Sequence, residues 1–515
     1  MSKPNIVLIL VDDMGYSDIG CYGGEIKTPN LDALAATGQS YTNFYNIARC
    51  CPSRACLMTG LQPHQAGIGH MTNTPTDKYS YDRRLFGYRG FLNHNCVTIA
   101  EILKDTGYHT FLSGKWHLGQ HEYDQLPNQR GFERFYGILA GACNYFMPSG
   151  PQRLSFNDDG IEPEGPSYYT TDAFTDYGMK FIREINDKKP FFLYLAFNAP
   201  HWPLQAPAEL VKNYRGKYMC GWDKLRGQRL DKMRKLGIVS DDCPLSLRDP
   251  EVRAWDTLDD IKKDEMDLRM SVYAAQIERM DWNVGRLAEF LSEQGMYDNT
   301  LILFLSDNGA CAEGGELGRG APELINQSEL PKELGGLMVS YGRAWANASN
   351  TPYRMYKHYV HEGGISTPLI IHWPDMIKKY GHIREPGHLM DIMPTILEAT
   401  GASYPAKYHG NEIPPLEGMS LYKFFDTGAE GIVNNSGNPR YLYWEHEENC
   451  SVRHGKYKAL HKYDAGQWEL YNLEKDPCEL NDIAASCPDI TLDLSRHWYE
   501  WAYTHYVLPK WREYK

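Results

Sequence analysis

Short apolar runs alternate with polar or glycine-rich turns along most of the chain. The clearest runs predict β-strands at residues 5–11, 108–113, 191–197, 300–305 and 368–372. Each run is apolar nearly throughout rather than at every second position, which is typical of strands that are covered on both faces. The pattern therefore predicts an α/β fold with a mostly parallel sheet flanked by helices.

Helix signals lie between these runs. A Thr-Pro pair at residues 28–29 opens a short helix, and Thr98 with Glu101 has the capping-box spacing of a second one. Residues 272–295 carry apolar side chains at helical spacing, and residues 391–400 predict a further helix. Strands and helices thus alternate, as in doubly wound sheets.

Polar side chains directly follow four of the predicted strands. In parallel sheets, ligands bind beyond the carboxyl ends of the strands, so we expect these side chains to meet at one edge. A single Asp or His after a strand is usually a turn former, but four chemically compatible strand ends point to a site. The side chains are Asp12, Asp13, Lys115, His117, His201, Asp307 and Asn308.

The last part of the chain has a different character. Short aromatic runs predict a small antiparallel sheet, and a closing amphipathic helix follows; the segments are residues 441–444, 457–460, 468–471 and 489–506. We therefore predict a large α/β domain over residues 1–430 and a smaller C-terminal α+β domain over residues 431–515.

The excess of acidic over basic residues argues against polyanionic binding partners. Lys and Arg total 53 against 66 Asp and Glu, which gives a formal net charge of −13. Because there is no basic tract, nucleic acid and anionic membrane surfaces are not expected as partners. No apolar run approaches the roughly 18 residues of a membrane span, so we expect no membrane insertion. The 12 cysteines are too few for a disulfide scaffold in 515 residues.

Two acidic dipeptides suggest a metal site. Asp12-Asp13 and Asp307-Asn308 each follow a buried-looking strand. Their oxygens suit a hard divalent cation, Ca²⁺ or Mg²⁺, better than a soft metal. Most pairs of acidic residues simply lie in surface turns. That interpretation is less favoured here because each pair directly follows a strand that is predicted to be buried.

The most specific segment is Cys50-Cys-Pro-Ser-Arg54-Ala-Cys56. Pro52 stands where a helix would begin, so Cys50 is expected at a helix N-terminus, which favours negative charge. Arg54, one turn inside, could hold an oxyanion or a nucleophile oxygen. For the cysteines alone, buried thiols or a Cys50–Cys56 disulfide are the simplest readings.

Cys50-x-Pro-Ser-Arg54 followed by Leu-Met-Thr-Gly60 resembles the signature of the formylglycine-dependent (type I) sulfatases, of the alkaline phosphatase superfamily, and most closely bacterial arylsulfatases. Other matching segments are Gly114-Lys-Trp-His-Leu-Gly119, Ala199-Pro-His-Trp-Pro203, Ser306-Asp-Asn-Gly309 and Lys357 before Glu362-Gly-Gly-Ile-Ser-Thr-Pro368. The resemblance runs through nearly the whole chain. It implies an alkaline-phosphatase-like α/β domain with a smaller C-terminal domain that contains an antiparallel sheet.

The resemblance implies that a maturation enzyme, which generates formylglycine, converts Cys50, not Cys51, to 3-oxoalanine. It implies a Ca²⁺ site, with Mg²⁺ as the alternative, formed by Asp12, Asp13, Asp307, Asn308 and the modified Cys50. The resemblance further implies that one hydroxyl of the hydrated aldehyde attacks sulfur, with Asp307 as proton acceptor. The resemblance also implies that Arg54 orients residue 50 and that Lys115, Lys357 and His201 bind the sulfate group. It implies that His201 protonates the leaving alcohol and that His117, with Lys115, deprotonates the second hydroxyl.

The implied reaction is hydrolysis of small-molecule or glycan sulfate monoesters. Aryl sulfates and sulfated sugars are the expected substrates, and specificity is expected from loops at residues 71–88, 314–350 and 445–449. A phosphate or phosphonate ester hydrolase, and a catalytically silent binding protein, are the alternatives. Because the family is often exported, we expect a periplasmic or secreted protein whose signal peptide is absent from this sequence, with a cytoplasmic location as the alternative.

Overall fold

The computed structural model describes residues 3–72, 82, 84–165, 167–328, 338–428, 439–463 and 465–507. Its strands, in chain order, are β1 (Asn5–Asp12), β2 (Gln39–Tyr41), β3 (Phe44–Tyr45), β4 (His109–Lys115), β5 (Arg134–Ile138), β6 (Leu154–Phe156), β7 (Asp159–Ile161), β8 (Phe191–Pro200), β9 (Thr300–Ser306), β10 (Leu369–His372), β11 (Gly381–Ile383), β12 (Gly387–His388), β13 (Lys407–Tyr408), β14 (Asn411–Glu412), β15 (Tyr441–His446), β16 (Asn449–His454), β17 (Tyr457–His461) and β18 (Glu469–Asn472).

The α-helices are α1 (Pro29–Ala36), α2 (Cys50–Thr59), α3 (Ile99–Asp105), α4 (Thr170–Arg183), α5 (Ala208–Lys212), α6 (Trp222–Lys235), α7 (Asp260–Glu293), α8 (Gly342–Ser349), α9 (Glu362–Ile365), α10 (Ile392–Thr400), α11 (Phe424–Thr427) and α12 (Pro488–Thr504). The predicted capping box is present, since the Thr98 side chain accepts from the Glu101 N–H and Glu101 accepts from the Thr98 N–H. None of the helices in the described part of the chain combines the length and apolar character that crossing a membrane requires.

The main sheet has ten strands in the order β11-β2-β10-β9-β1-β8-β4-β5-β6-β7. Five neighbouring strands, β9, β1, β8, β4 and β5, are parallel, while β10 and the β6–β7 edge are antiparallel. The predicted mostly parallel sheet with flanking helices is therefore confirmed. The parallel block brings the carboxyl ends of its strands to one edge.

Both faces of the sheet are covered, as the continuous apolar runs predicted. Along β1, Val7, Ile9 and Val11 face one hydrophobic core, and the alternate residues Ile6, Leu8 and Leu10 face the other. The long helix α7 contributes its apolar stripe to the first core, and α2 and α10 lie in the second. This two-sided burial fixes the register of the strands whose ends carry the polar side chains.

The C-terminal region forms a four-stranded antiparallel sheet, β15–β18, against which α12 packs. Trp444 and Lys458 connect this sheet to the larger body. The Trp444 Nε1 donates to the carbonyl of Asn46 at 2.8 Å, and Lys458 Nζ, fully buried, lies 2.7 Å from Glu362 and 2.8 Å from Glu479. The predicted boundary between residues 430 and 431 lies outside the described residues and stays a prediction.

Candidate functional site

The ends of the parallel strands carry a buried cluster of charged side chains. Asp12 is the last residue of β1, Lys115 is the last of β4, and Asp307 directly follows β9. His201 follows β8 at once and is 5% exposed, whereas the other three are fully buried. The four strand ends that the sequence singled out thus meet at one edge of the sheet.

Each cation of the cluster lies against a carboxylate. Lys115 Nζ is 2.6 Å from Asp12 Oδ2, and Lys357 Nζ is 2.8 Å from Asp13 Oδ2. Arg54 donates from Nε and Nη2 to Asp307 Oδ2, at 3.1 and 2.8 Å, and from Nη1 to the carbonyl of Lys115 at 3.1 Å. Such pairs are stable in a dry interior only when their remaining hydrogen bonds are well made.

The oxygens fit a hard cation. Asp12 Oδ1 and Asn308 Oδ1 are buried without a hydrogen-bond partner, which is costly unless another group satisfies them. Ligand atoms of Asp12, Asp13 and His201 lie within 4.8 Å of one another, and Asp307 Oδ1 is 3.2 Å from the Asp13 N–H. Carboxylate and amide oxygens are what Ca²⁺ and Mg²⁺ bind. Asp12, Asp13, Asp307 and Asn308 could therefore hold one such ion.

The surroundings of Asp13 and Asp307 shift the pKa values of these two carboxyl groups in opposite directions. Burial acts against the charge of Asp13, but Lys357 and His201 outweigh it and hold the pKa of Asp13 below its ordinary value. Burial raises the pKa of Asp307 to about 7, with Asp12 contributing in the same direction and Arg54 opposing it. Asp13 and Asp307 therefore differ in their affinity for a proton because their charged neighbours differ.

Helix α2 begins at Cys50, as the sequence indicated. Pro52 lies in the first turn, where N–H groups have no intrahelical acceptor and proline costs little. Gly60 ends the helix in the left-handed conformation, with φ of 67°. Cysteines 50, 51 and 56 are thiols, so the disulfide reading of this segment is not supported.

The two adjacent cysteines differ in their surroundings. Burial raises the pKa of the Cys50 thiol, and the nearby Lys115 and Lys357 offset only part of that effect. Cys51 Sγ instead accepts a hydrogen bond from the Thr72 N–H at 3.2 Å and lies 3.7 Å from the carbonyl of His70. Cys50 is electrostatically linked to the charged cluster, and Cys51 packs beneath the adjoining loop.

His201 and Lys357 form the other side of the cluster. His201 Nε2 is 3.5 Å from Lys357 Nζ and 3.3 Å from Asp13 Oδ2, while its Nδ1 is 2.7 Å from the carbonyl of Trp202. Burial lowers the pKa of His201 to about 4, although Asp13 opposes this. Despite burial, Asp13 holds the pKa of Lys357 well above its usual range. At neutral pH the imidazole is neutral and the ammonium is charged.

His117 lies at the cluster in an unusual backbone conformation. Its φ is 58°, in the left-handed region that residues other than glycine rarely adopt. Burial, with Lys115 next, lowers its pKa well below the usual value, and Nε2 is 3.2 Å from the carbonyl of Thr72. Gly141 makes room for the ring, because a Cβ at that position would lie 2.6 Å from His117 Cε1.

We expect Gly141→Ala to impair turnover by displacing His117. A misplacement of about 1 Å typically costs on the order of 10²-fold in kcat. The matched control is Gly227→Ala in α6, where a Cβ meets nothing within 4 Å. That change should leave kcat unaltered and add up to about 1 kcal/mol to the free energy of unfolding. A kcat for Gly141→Ala within about threefold of the parent would show that the position of His117 is unimportant.

Next to Lys357 lies a second group of polar residues, of which the sequence reasoning missed Arg49, Glu313 and His358, whereas Glu447 lies in the loop at residues 445–449 from which specificity was expected. Glu313 is 3.0 Å from both Arg49 Nη1 and His358 Nε2, and His358 Nδ1 is 3.4 Å from Glu447. Each of the three missed residues lies close in the chain to a motif that the sequence analysis had already singled out. Arg49 precedes Cys50, Glu313 follows the Ser-Asp-Asn-Gly turn, and His358 follows Lys357. Glu313, His358 and Glu447, together with Lys357, line a pocket of about 350 Å³.

Comparison with known proteins is consistent with this geometry. The family model described as Sulfatase matches residues 4–402, and the model described as N-sulphoglucosamine sulphohydrolase, C-terminal, matches residues 353–497. The first match alone covers well over half of the chain.

Individual relatives agree with the family models. The chain is 34% identical to an uncharacterized sulfatase of Schizosaccharomyces pombe, over 96% of this chain and 93% of that protein. It is 35% identical to an arylsulfatase of Klebsiella aerogenes, over 81% of this chain and 91% of the relative. The crystal structure of Ps i-CgsB in complex with k-i-k-neocarrahexaose superposes with a TM-score of 0.70 and 28% identity, over 99% of this chain and 95% of that chain. The chain therefore belongs to the sulfatase family and is an enzyme that hydrolyses sulfate esters.

Proposed function

We propose that the enzyme cleaves sulfate monoesters, aryl sulfates and above all sulfated carbohydrates, at a formylglycine derived from Cys50 beside a divalent cation. The observation that carries this proposal is the convergence of Arg54, Lys115 and Lys357 with three carboxylates at the strand ends that adjoin Cys50. Fixed charges in a water-excluded site are usually the largest contribution to stabilising a transition state.

The oxygens of Asp12, Asp13, Asp307 and Asn308, with residue 50, would hold Ca²⁺, or Mg²⁺ as the alternative. The unsatisfied Asp12 Oδ1 and Asn308 Oδ1 support this assignment. Such an ion supplies positive charge for the oxygens on which negative charge develops. Lys115 and Lys357 each donate one N–H to Asp12 and Asp13, and an ammonium has three donors, so further N–H groups could reach the sulfate oxygens.

Modification of Cys50 is supported by the poor nucleophilicity of the unmodified side chain. A buried thiol with a raised pKa carries little thiolate at neutral pH. The hydrated aldehyde of formylglycine supplies two hydroxyls, one for attack on sulfur and one for release of sulfate. A maturation enzyme that recognises the segment around Cys50 before folding is required, because the residue is 1% exposed in the folded chain.

The proposed proton transfers occur on two sides of the site: the two hydroxyls of residue 50 lose their protons on one side, and the leaving alcohol gains a proton on the other. On one side, Asp307 takes the proton of the attacking hydroxyl, and Arg54 holds both Asp307 and the strand end at Lys115 in place. His117, assisted by Lys115, takes the proton of the second hydroxyl. The low pKa of His117 keeps its imidazole neutral and able to accept that proton.

On the other side, His201 and Lys357 flank the leaving oxygen. Because His201 is neutral at rest and Lys357 is charged, we propose that the pair, rather than His201 alone, supplies the proton to the alcohol. The net reaction converts R–O–SO₃⁻ and water to R–OH, sulfate and a proton.

Carbohydrate esters are the substrates that the similar proteins support best. The Ps i-CgsB structure contains an oligosaccharide, and it resembles this chain over nearly its full length. We further propose that residues 1–430 carry the catalysis, that residues 431–515 form the smaller domain, and that the protein acts after export to the periplasm or the medium, where polymeric glycan sulfates are encountered.

The reaction class is tested by comparing 4-nitrophenyl sulfate with bis-(4-nitrophenyl) phosphate. We expect kcat/KM to favour the sulfate by at least about 10²-fold, because a sulfate monoester presents three non-bridging oxygens to the lysines, whereas a phosphate diester presents two and carries a second aryl group in place of the third. A 10²-fold ratio corresponds to about 2.7 kcal/mol of differential transition-state binding. A preference for the phosphate diester would overturn the assignment. Arg384→Gln, which removes a surface cation that hydrogen-bonds the Gly237 carbonyl, serves as a control for general loss of positive charge.

A further inference from the structure

We propose that the pocket beside Lys357 binds the sugar ring that carries the sulfate, through hydroxyl groups that donate to Glu313 and Glu447, and that it rejects a second anionic group next to the scissile ester. This inference rests on the proposed function, since it concerns the alcohol part of the same substrate. We call Glu313, His358 and Glu447 the acceptor wall.

The pocket is continuous with the sulfate-binding side of the site. Lys357 lines it, and the β15–β16 hairpin closes it from the C-terminal sheet with Glu447 and Asn449. Its volume of about 350 Å³ is within the range of about 300–1,000 Å³ that small-molecule sites occupy. A group esterified to a sulfate held at Lys357 would therefore extend into this space.

The acceptor wall is connected and partly exposed. Glu313 Oε1 is 3.0 Å from His358 Nε2, and His358 Nδ1 is 3.4 Å from Glu447 Oε2. The side chains of Glu313, His358 and Glu447 are 19%, 28% and 39% exposed, so each can be reached from the pocket. His358 and Glu447 hold left-handed backbone conformations, with φ of 81° and 49°. Such strain is typical of residues whose orientation is functional.

The charge of the wall determines what it can bind. Burial acts against ionisation of Glu313, but Lys357 and Arg49 hold its pKa well below the ordinary value. His358 and His446 likewise outweigh burial and keep the pKa of Glu447 low. An ionised carboxylate only accepts hydrogen bonds, so its partner must be an O–H or N–H donor. Because Arg49 already pairs with Glu313, a second sulfate or a carboxylate at this position would be repelled chiefly by Glu447.

The cations that line the pocket have carboxylate partners. Arg343 pairs with Glu251, and Lys462 Nζ is 3.7 Å from Glu469. Lys357 is committed to Asp13 and to the sulfate side of the site. Arg49, behind the pocket lining, offsets the charge of Glu313 at 3.0 Å, so Glu447 is the carboxylate of the acceptor wall that favours a neutral polyol over a polyanion.

An aromatic side chain completes the fit to a sugar. Tyr463 lines the pocket and is 49% exposed, although large aromatic side chains are usually buried. An exposed aromatic ring beside hydrogen-bond acceptors can cover the apolar C–H face of a pyranose while the hydroxyls reach the acceptors. An aryl leaving group offers no hydroxyls to the acceptor wall.

A metal ion is the competing occupant of the same residues. His358, His446 and Glu447 place ligand atoms within 4.8 Å of one another, a spacing that could hold a transition metal. Arg49 argues against it, because its guanidinium Nη1 lies 2.9 Å from His358 Nδ1 and also contacts Nε2. A fixed positive charge at that distance opposes binding of a cation.

The test measures binding to protein carrying Cys50→Ala, so that it does not depend on turnover. Calorimetric titration with monosulfated hexoses, sulfated at different positions, and with 4-nitrophenyl sulfate gives the ratio of sugar to aryl affinity. We expect Glu447→Gln to lower this ratio by about tenfold or more, the effect of losing a charged acceptor of a hydroxyl. Glu448→Gln, at the neighbouring position that does not line the pocket, should leave the ratio unchanged. A hexose disulfate with vicinal sulfates should bind the Cys50→Ala protein more weakly than the monosulfate does. Adding Glu447→Gln to that protein should increase its affinity for the disulfate.

Three results would overturn the inference: an unchanged ratio in Glu447→Gln, tighter binding of the vicinal disulfate by the Cys50→Ala protein, or stoichiometric Zn²⁺ binding that Glu447→Gln and His446→Ala both abolish. Failure of the proposed function would look different. In that case neither sulfate ester would bind to the Cys50→Ala protein, whereas both would bind if only the acceptor wall were misassigned.

Discussion

Cys50→Ala is expected to abolish sulfate release, whereas Cys51→Ala retains substantial activity. Losing a covalent nucleophile typically costs about 10⁴-fold or more in kcat. Cys50 begins α2 beside the cluster of Arg54, Lys115 and Lys357, and Cys51 Sγ accepts from the Thr72 N–H away from it. Initial rates with an aryl sulfate, with thermal unfolding of each variant to confirm folding, provide the measurement.

The adjacent cysteine makes this a matched comparison. Both side chains are almost fully buried and both lie in the first turn of the same helix, so a general packing effect would affect the two variants alike. Equal loss of activity in Cys51→Ala would show that the modification falls on the other cysteine. Full activity in Cys50→Ala would remove the nucleophile from the mechanism altogether.

Asp307→Asn is expected to lower kcat by at least about 10³-fold, because it removes a proton acceptor and one metal charge at once. The substitution keeps the size of the side chain but removes the charge that pairs with Nε and Nη2 of Arg54. Addition of Ca²⁺ should raise the melting temperature of the parent, since a ligand that binds only the native state stabilises it by about 2.7 kcal/mol at 100 times its Kd. The same addition should raise that of Asp307→Asn much less.

Asp391→Asn serves as the control for this second substitution. Asp391 is also a fully buried carboxylate paired with an arginine, Arg440 at 2.5 Å, but it lies at the start of α10. Its replacement should lower the melting temperature while leaving kcat and the Ca²⁺ response intact. A near-normal kcat in Asp307→Asn would rule out Asp307 as the proton acceptor.

The sequence predicted the frame of the site because the frame depends on local patterns. Continuous apolar runs identify buried parallel strands, and the residue after each run must then lie at the sheet edge. That reasoning located Asp12, Lys115, His201 and Asp307 without reference to tertiary contacts. The helix start at Cys50 followed from Pro52 in the same local way.

The parts that were missed depend on long-range packing. Asp13 and His117 adopt left-handed backbone, with φ of 66° and 58°, and the apolar pattern did not predict this, although Asp and His are among the residues other than glycine that adopt it most often. The acceptor wall joins Glu313 and His358, which no sequence pattern singled out, to Glu447 of the loop at residues 445–449, from which specificity was expected. Helix α7 begins at Asp260, a dozen residues before the predicted start, because its first turns are polar and the apolar periodicity begins later.

The chain has a net charge of −13, yet its proposed substrate is an anion. The two are compatible because the charge at the site differs from that of the whole chain. Acidic side chains at the site are paired with Arg54, Lys115 and Lys357, and in the proposed mechanism with a divalent ion as well. The sign of the potential at the sulfate position is therefore set by the buried lysines rather than by the whole chain.

The most direct test of the central claim is peptide mass spectrometry across residues 49–54 of protein from its native host. Conversion of a cysteine to formylglycine lowers the residue mass by about 18 Da and creates an aldehyde that reacts with hydrazides. We predict this change at Cys50 and an unmodified thiol at Cys51 in active protein. An active enzyme in which Cys50 remains a thiol would contradict the proposed mechanism.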